Sequence, residues 1–166
     1  ISKLVGDELA AQFSGGSFAV IYLAPPDYHR VHSPIAGTVR SLQYKAGTLW
    51  PVFAAATRKV DDLFGKNERL VFDLDTAAGP MALVMVGAFG VGRIANVFDA
   101  YRTNADVQPA HRDLQPAQPI AKGSELGHFE LGSTVILLFG PNQVDWTMET
   151  DEVLRVGRPI ARVTSI

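Results

Sequence analysis

Apolar positions in this chain fall into short runs closed by glycine and proline, and most runs repeat every second residue, the period of a strand. In "RLVFDLDTAAGPMALVMVGA", Leu70, Phe72 and Leu74 alternate with Val71, Asp73 and Asp75, and "TAAGP" then turns the chain into a second apolar run. That pattern predicts a β-hairpin. "GGSFAVIYLAPP" reads as a glycine turn, a strand over Phe18 to Leu23 and a proline stop. "GTVRSLQYKAG" alternates imperfectly through Val39, Leu42 and Tyr44, which predicts a strand with a bend. "VGRIANVF", "HFELG", "STVILLFG" and "PIARVTSI" supply further short strands. Only "SKLVGDELAAQF" carries a helical period, through Leu4, Val5, Leu9 and Phe13. Residues 100–120, with three prolines and many polar side chains, read as a long loop. The expected fold is mainly β (α+β): an antiparallel sheet core of short strands and hairpins with one or two short helices.

Composition narrows the function classes. The chain has 166 residues, 47% of them hydrophobic, enough for one domain over 1–166 with its own core. Fifteen basic against seventeen acidic residues leave no basic footprint for nucleic acid. With no cysteine, disulfides, thiol catalysis and cysteine-bound metals are excluded. The most apolar window, Met81 to Gly92, carries three glycines and is shorter than the roughly 20 residues a membrane helix needs, so it reads as buried strand rather than a span. The chain opens on Ile1 without a signal-peptide pattern, as the cut end of a longer protein would.

Two segments hold candidate chemistry. "PPDYHRVHSP" places His29 and His32 three residues apart between prolines. Proline removes an amide donor and restrains its predecessor, so this is not the helical His-Glu-x-x-His of a zinc protease, and no third ligand completes a metal site. A loop with two imidazoles near a strand end suits general acid–base work, or is simply solvated. "ELGSTVILLFG" begins a strand on Gly132, Ser133 and Thr134. It does not match a Gly-x-Ser-x-Gly elbow. From these residues alone, Ser133 is either a turn residue or a nucleophile.

Taken together, "YLAPPDYHRVHSPIAGTV", "LFGKNERLV", "GPMALVMVGAFGVGRI" and "KGSELGHFELGSTVILLF" resemble the phosphatidylserine decarboxylase family, in order along the whole chain. The resemblance implies a proenzyme that cuts itself at Gly132–Ser133 into a β chain, 1–132, and an α chain, 133–166. Ser133 becomes a pyruvoyl group, a covalent cofactor that replaces pyridoxal phosphate and needs no metal. It implies His32 as the base for self-cleavage and His29 as the proton donor in decarboxylation, with Thr134 a hydrogen-bonding neighbour; His128 either lines the site or, the more ordinary role, stands at a strand edge. The implied partners are phosphatidylserine and an anionic membrane surface, approached from the cytoplasmic face by a peripheral protein with no transmembrane helix here. A homodimer stays open. Arg30, Lys66 and Arg69 are cations that could meet a lipid phosphate, His111 reads as solvated and Phe139 as core. The family's triad aspartate sits in a Pro-x-Asp-Gly segment that this chain does not contain, which implies a missing N-terminal region. The competing readings are a non-processing homologue and a β-rich carrier or binding module, suggested by the turns "HSPIAGTV" and "VGRPIARV".

Overall fold

A computed structural model of the chain describes residues 1–90, 93–104, 108–130 and 133–164. Two one-turn helices open it, α1 (Ser2–Val5) and α2 (Asp7–Ala10), followed by a 3-10 turn at Ala11–Phe13. Strands β1 (Ser17–Tyr22), β2 (Arg30–His32) and β3 (Gly37–Lys45) come next, then the short helices α3 (Ala54–Thr57) and α4 (Leu63–Lys66). The rest is strand: β4 (Arg69–Thr76), β5 (Gly79–Val86), β6 (Ile94–Asn96), β7 (Ala110–Ile120), β8 (Glu125–Phe129), β9 (Thr134–Phe139), β10 (Val144–Trp146) and β11 (Ala161–Val163). The mainly β, antiparallel expectation holds.

A six-stranded antiparallel sheet, ordered β1-β9-β5-β4-β3-β7, carries the architecture, with a three-stranded sheet β2-β8-β6 beside it. Both faces of the large sheet's central strands, β9, β5 and β4, are buried. On one face, Val71, Ala82, Val84, Val86, Ile136 and Leu138 pack under Val5, Leu9 and Phe13 of the N-terminal helices. On the other, Leu70, Phe72, Leu83, Met85, Val135 and Leu137 pack against Val31, Ile94, Leu126 and Phe129 of the small sheet. This two-sided burial explains why "MALVMV" and "TVILLF" are continuously apolar rather than alternating.

The predicted hairpin is present in register, from Arg69 opposite Val86 to Thr76 opposite Gly79. Its turn is closed by Thr76, whose hydroxyl donates to the Gly79 carbonyl at 2.7 Å and accepts from Ala78 N at 3.1 Å. Gly79 has a φ of 104°, a conformation that side chains disfavour. The bend expected in β3 is a register shift between Val39 and Ser41 against both neighbours. The skipped residue, Arg40, pairs with Asp73 at 2.7 Å and Asp75 at 3.3 Å, giving the polar positions of "DLD" their partner.

The expected loop over 100–120 is corrected in its second half, where Ala110–Ile120 forms β7. Proline misled the reading, because it is tolerated on an edge strand and at bulges, and β7 lies at the sheet edge. Opposite the β3 irregularity its register jumps from Gln118 to Asp113, so Pro116 sits in the stretch that leaves the ladder. Phe72, fully buried at the centre of the core, offers a test. Phe72→Ala should cost about 3–5 kcal/mol of stability, read as a lowered urea midpoint.

Candidate active site

β9 is hydrogen-bonded along both edges. Thr134, its first residue, lies opposite Tyr22 of β1 and opposite Val86 of β5. Ser133 stands one residue before, with its carbonyl accepting Leu23 N at 2.6 Å. Its hydroxyl donates to the Val86 carbonyl. At 1% exposure, this serine is enclosed between the ends of two neighbouring strands. A hydroxyl that donates to a carbonyl is oriented but not activated, so nucleophilic attack requires a base to take its proton. Thr134 Oγ1 is also buried, and among the described residues it meets no hydrogen-bond partner. Gly132, the other half of the expected cleavage site, lies outside the described residues.

The histidine segment is a strand edge rather than a free loop. β2 pairs with β8 so that Arg30 faces His128, Val31 faces Gly127 and His32 faces Glu125, with a bulge between the last two pairs. Val31 is in the core, so alternation turns His29 to the inward side and Arg30 and His32 to the outward side. His29 is anchored by its carbonyl, which accepts Phe129 N at 3.1 Å, and by its ring, whose Nε2 donates to the Ala24 carbonyl at 3.1 Å. Ala24 follows Leu23, the backbone partner of Ser133. His29 therefore belongs to the Ser133 end of the sheet.

His32 has different company. Its Nδ1 donates to the Gly123 carbonyl at 2.8 Å, which leaves Nε2 to accept the Tyr28 hydroxyl at 2.7 Å. The two rings lie nearly parallel, 14° apart. Among the described residues no histidine ring is bonded to Ser133. The bulge in β8 also brings Glu125 and His128 onto one outward face, with His128 Nδ1 3.1 Å from Glu125 Oε1. Arg30 Nη1 donates to both Glu125 oxygens, at 2.7 and 2.9 Å. Burial alone would raise the Glu125 carboxyl, but Arg30 and His128 outweigh it and hold it below the usual carboxylate range. His128 is thus an outward partner of Glu125, on the strand that leads toward Ser133.

In a third group, the sequence singled out Arg69 alone. Asn67, Glu68 and Arg69 enter β4 at the Ser133 end of the sheet. Asn67 Nδ2 donates to the Gly87 carbonyl at 2.9 Å and the Trp50 carbonyl at 2.7 Å, and its Oδ1 accepts Trp50 N at 2.9 Å. Gly87 N in turn donates to the Glu68 carbonyl at 2.8 Å. Arg69 is 5% exposed. It donates to the Leu4 carbonyl at 2.6 Å, to the Lys3 carbonyl at 2.5 Å and to the Asn67 carbonyl at 2.8 Å. It therefore binds α1 and the strand entrance, not a lipid phosphate, and Arg30 is likewise taken by Glu125. The legible signal was polarity itself: "NER" is a polar triplet directly ahead of the apolar run "LVF".

Among the described residues, no group of three histidine or carboxylate side chains is placed to hold a metal ion. A sequence model of the phosphatidylserine decarboxylase family matches residues 1–162. The chain belongs to the phosphatidylserine decarboxylase family. It is 44% identical to the phosphatidylserine decarboxylase proenzyme of Myxococcus xanthus over 99% of this chain and 60% of that protein. The corresponding proenzyme of Anaeromyxobacter sp. is 46% identical over 96% of this chain and 58% of its own length. That of Ectopseudomonas mendocina is 47% identical over 88% of this chain and 53% of its own. The chain thus spans somewhat more than half the length of these curated relatives.

Within this decarboxylase-family fold, the outward Arg30–Glu125–His128 group yields a pH test. The folded carboxyl of Glu125 lies below its unfolded value, so its stabilisation is complete above the unfolded pKa and is lost as pH falls through the lowered folded pKa. Arg30→Gln should therefore make the acid loss of stability shallower, measured by urea unfolding at successively lower pH.

Proposed function

We propose that this protein is a self-processing decarboxylase of phosphatidylserine, cut between Gly132 and Ser133. The observation that carries the reading is the seat of Ser133: a buried hydroxyl at the head of a doubly paired strand, with His29 anchored to Ala24, the residue after its backbone partner Leu23. For cleavage, Ser133 Oγ attacks the Gly132 carbonyl and displaces its own amine, giving an ester. Elimination then breaks the Cβ–O bond and leaves a carboxylate on Gly132. Hydrolysis of the new end releases ammonia and leaves a ketone where the serine amine stood. The buried position of Ser133, bonded to the backbone of Leu23 and Val86, suits that product, because a methyl would replace the hydroxymethyl group.

A pyruvoyl group at position 133 would supply a ketone for the substrate amine and an electron sink for the loss of CO2. The chain's own residues do the rest. The carbon that loses CO2 must take a proton, and His29 is the inward imidazole of the segment, held in place by Ala24 and Phe129. His32 keeps the role of base for the cleavage step on the strength of the family resemblance. Its Nε2 lone pair now receives the Tyr28 hydroxyl, so that role requires Tyr28 to release it.

A lipid substrate also needs a route from a membrane. Among the described residues no helix is long and apolar enough to cross one. Several large apolar side chains are exposed at the Ser133 end: Tyr22 beside Thr134, Trp50 on the segment held by Asn67, and Phe89 two residues beyond Gly87. Phe89 is 77% exposed. Aromatic rings of this kind favour the headgroup boundary of a bilayer, which supports peripheral docking with the site facing lipid; the anionic cytoplasmic face rests on the family resemblance.

Mass spectrometry of the full-length protein should show two chains, the smaller with a blocked, carbonyl-reactive end. Ser133→Ala and His32→Ala should both abolish the cut, whereas His29→Ala should mature and lose at least about a hundredfold in CO2 release. A single intact wild-type chain, or normal maturation of His32→Ala, counts against the assignment concerned. For the membrane, Phe89→Ser should weaken co-sedimentation with anionic vesicles while leaving processing unchanged.

A further inference from the structure

Glu68 is 4% exposed and is not used by the chemistry above. Its place in the sheet ties it to Ser133. Val86 faces Arg69 on one side and Thr134 on the other. One step further out, Gly87 is bonded to the backbone of Glu68, and Ser133 is the residue before Thr134. Ser133, Gly87 and Glu68 therefore form the next row across three strands, and with strands about 4.8 Å apart the outer two lie roughly 10 Å from each other. Arg69 points to α1, so alternation turns Glu68 to the opposite face, the face of Leu70, Val135 and Leu137. By the same alternation Ser133 falls on that face. Gly87 between them carries no side chain.

Two hydroxyls converge on the Glu68 carboxyl. Tyr44 donates to its Oε2 at 3.0 Å and is itself hydrogen-bonded to the backbone of Asn104. The Thr103 hydroxyl turns to the same carboxyl and accepts Ile94 N at 2.9 Å. Ile94 starts β6, opposite Phe129 at the end of β8, and Glu130 N donates to the Arg93 carbonyl at 3.1 Å. Glu68, on β4 of the large sheet, thereby grips the small sheet at the point where the chain leaves β8 for β9.

We propose that Glu68 is a positioning residue for the reaction at Ser133, a clamp between the two sheets that holds the end of β8 in place against the start of β9. The inference rests on the reading of Ser133 as the cleavage serine. The groups facing the carboxyl are Tyr44 from β3 and Tyr101 and Thr103 from the segment before β7; Arg69 beside it faces the other way. Burial raises the carboxyl above its ordinary value, and the Thr103 and Tyr44 hydroxyls, which favour the ionised form, only partly offset it. Its contribution is complete below the ordinary glutamate pKa and is lost as pH rises through the raised folded value.

The test uses full-length proenzyme and follows the appearance of the two chains over time at several pH values, with circular dichroism as a check on folding. Glu68→Gln, a neutral mimic of the acid, should process at close to the wild-type rate and lose the decline on the alkaline side of the carboxylate range. Glu68→Ala should process at least about tenfold more slowly, and Tyr44→Phe should be slowed to a lesser degree. Wild-type speed in Glu68→Ala, or a wild-type pH profile in Glu68→Gln, overturns the clamp while leaving the cleavage site intact. Should Glu68→Ala fail to fold, the Glu68→Gln profile decides. Absence of scission in the wild type overturns the Ser133 reading and the clamp with it.

Discussion

The double pairing of β9 is the constraint on which the rest of the molecule hangs. A strand bonded on one edge leaves its ends free to drift, whereas one held by β1 and β5 together has its first residues placed to within the tolerance of two ladders. Ser133 inherits that placement from the strand it precedes, and its own carbonyl and hydroxyl are bonded to Leu23 and Val86. The pairing is in turn secured by burial on both faces, with helices on one side and the small sheet on the other. Full burial of each large aliphatic or aromatic side chain in those layers contributes about 1.5–3 kcal/mol.

The small sheet matters because it sorts the two histidines. Three residues separate them in sequence, which suggests partners in one loop. A strand and a bulge instead send His29 inward and His32 outward, into separate hydrogen-bond environments. The same bulge creates the Glu125–His128 contact, which sequence spacing along a regular strand would forbid. One extra residue in β8 thus decides the neighbours of four polar side chains.

Much of the fold was legible in the pattern. The hairpin over 69–86, the bent third strand and the apolar strand after Ser133 all follow from period-two burial and turn chemistry. What stayed hidden depends on partners distant in sequence. β7 looked like a loop because its prolines are harmless only at an edge, and edge position is a property of the assembled sheet. Arg69 looked like a surface cation because nothing in "NER" says that the carbonyls ending α1, about 65 residues away, lack partners and need a donor. The serine and the two histidines could be named from the chain. Which histidine stands with the serine could not, since that depends on the register of β2 against β8.

The central position of β9 has one more consequence. A protein cut just ahead of this strand would consist of two molecules interleaved in one sheet, the smaller fragment contributing a middle strand with neighbours on both sides. Its new end would be a chain terminus inside the protein, enclosed where most termini are solvated and frayed. Unfolding such a protein would release two separate chains, and regaining the sheet would require them to find each other again. Its recovery would then depend on concentration, and its durability would be governed by how slowly it opens rather than by an equilibrium between folded and unfolded forms.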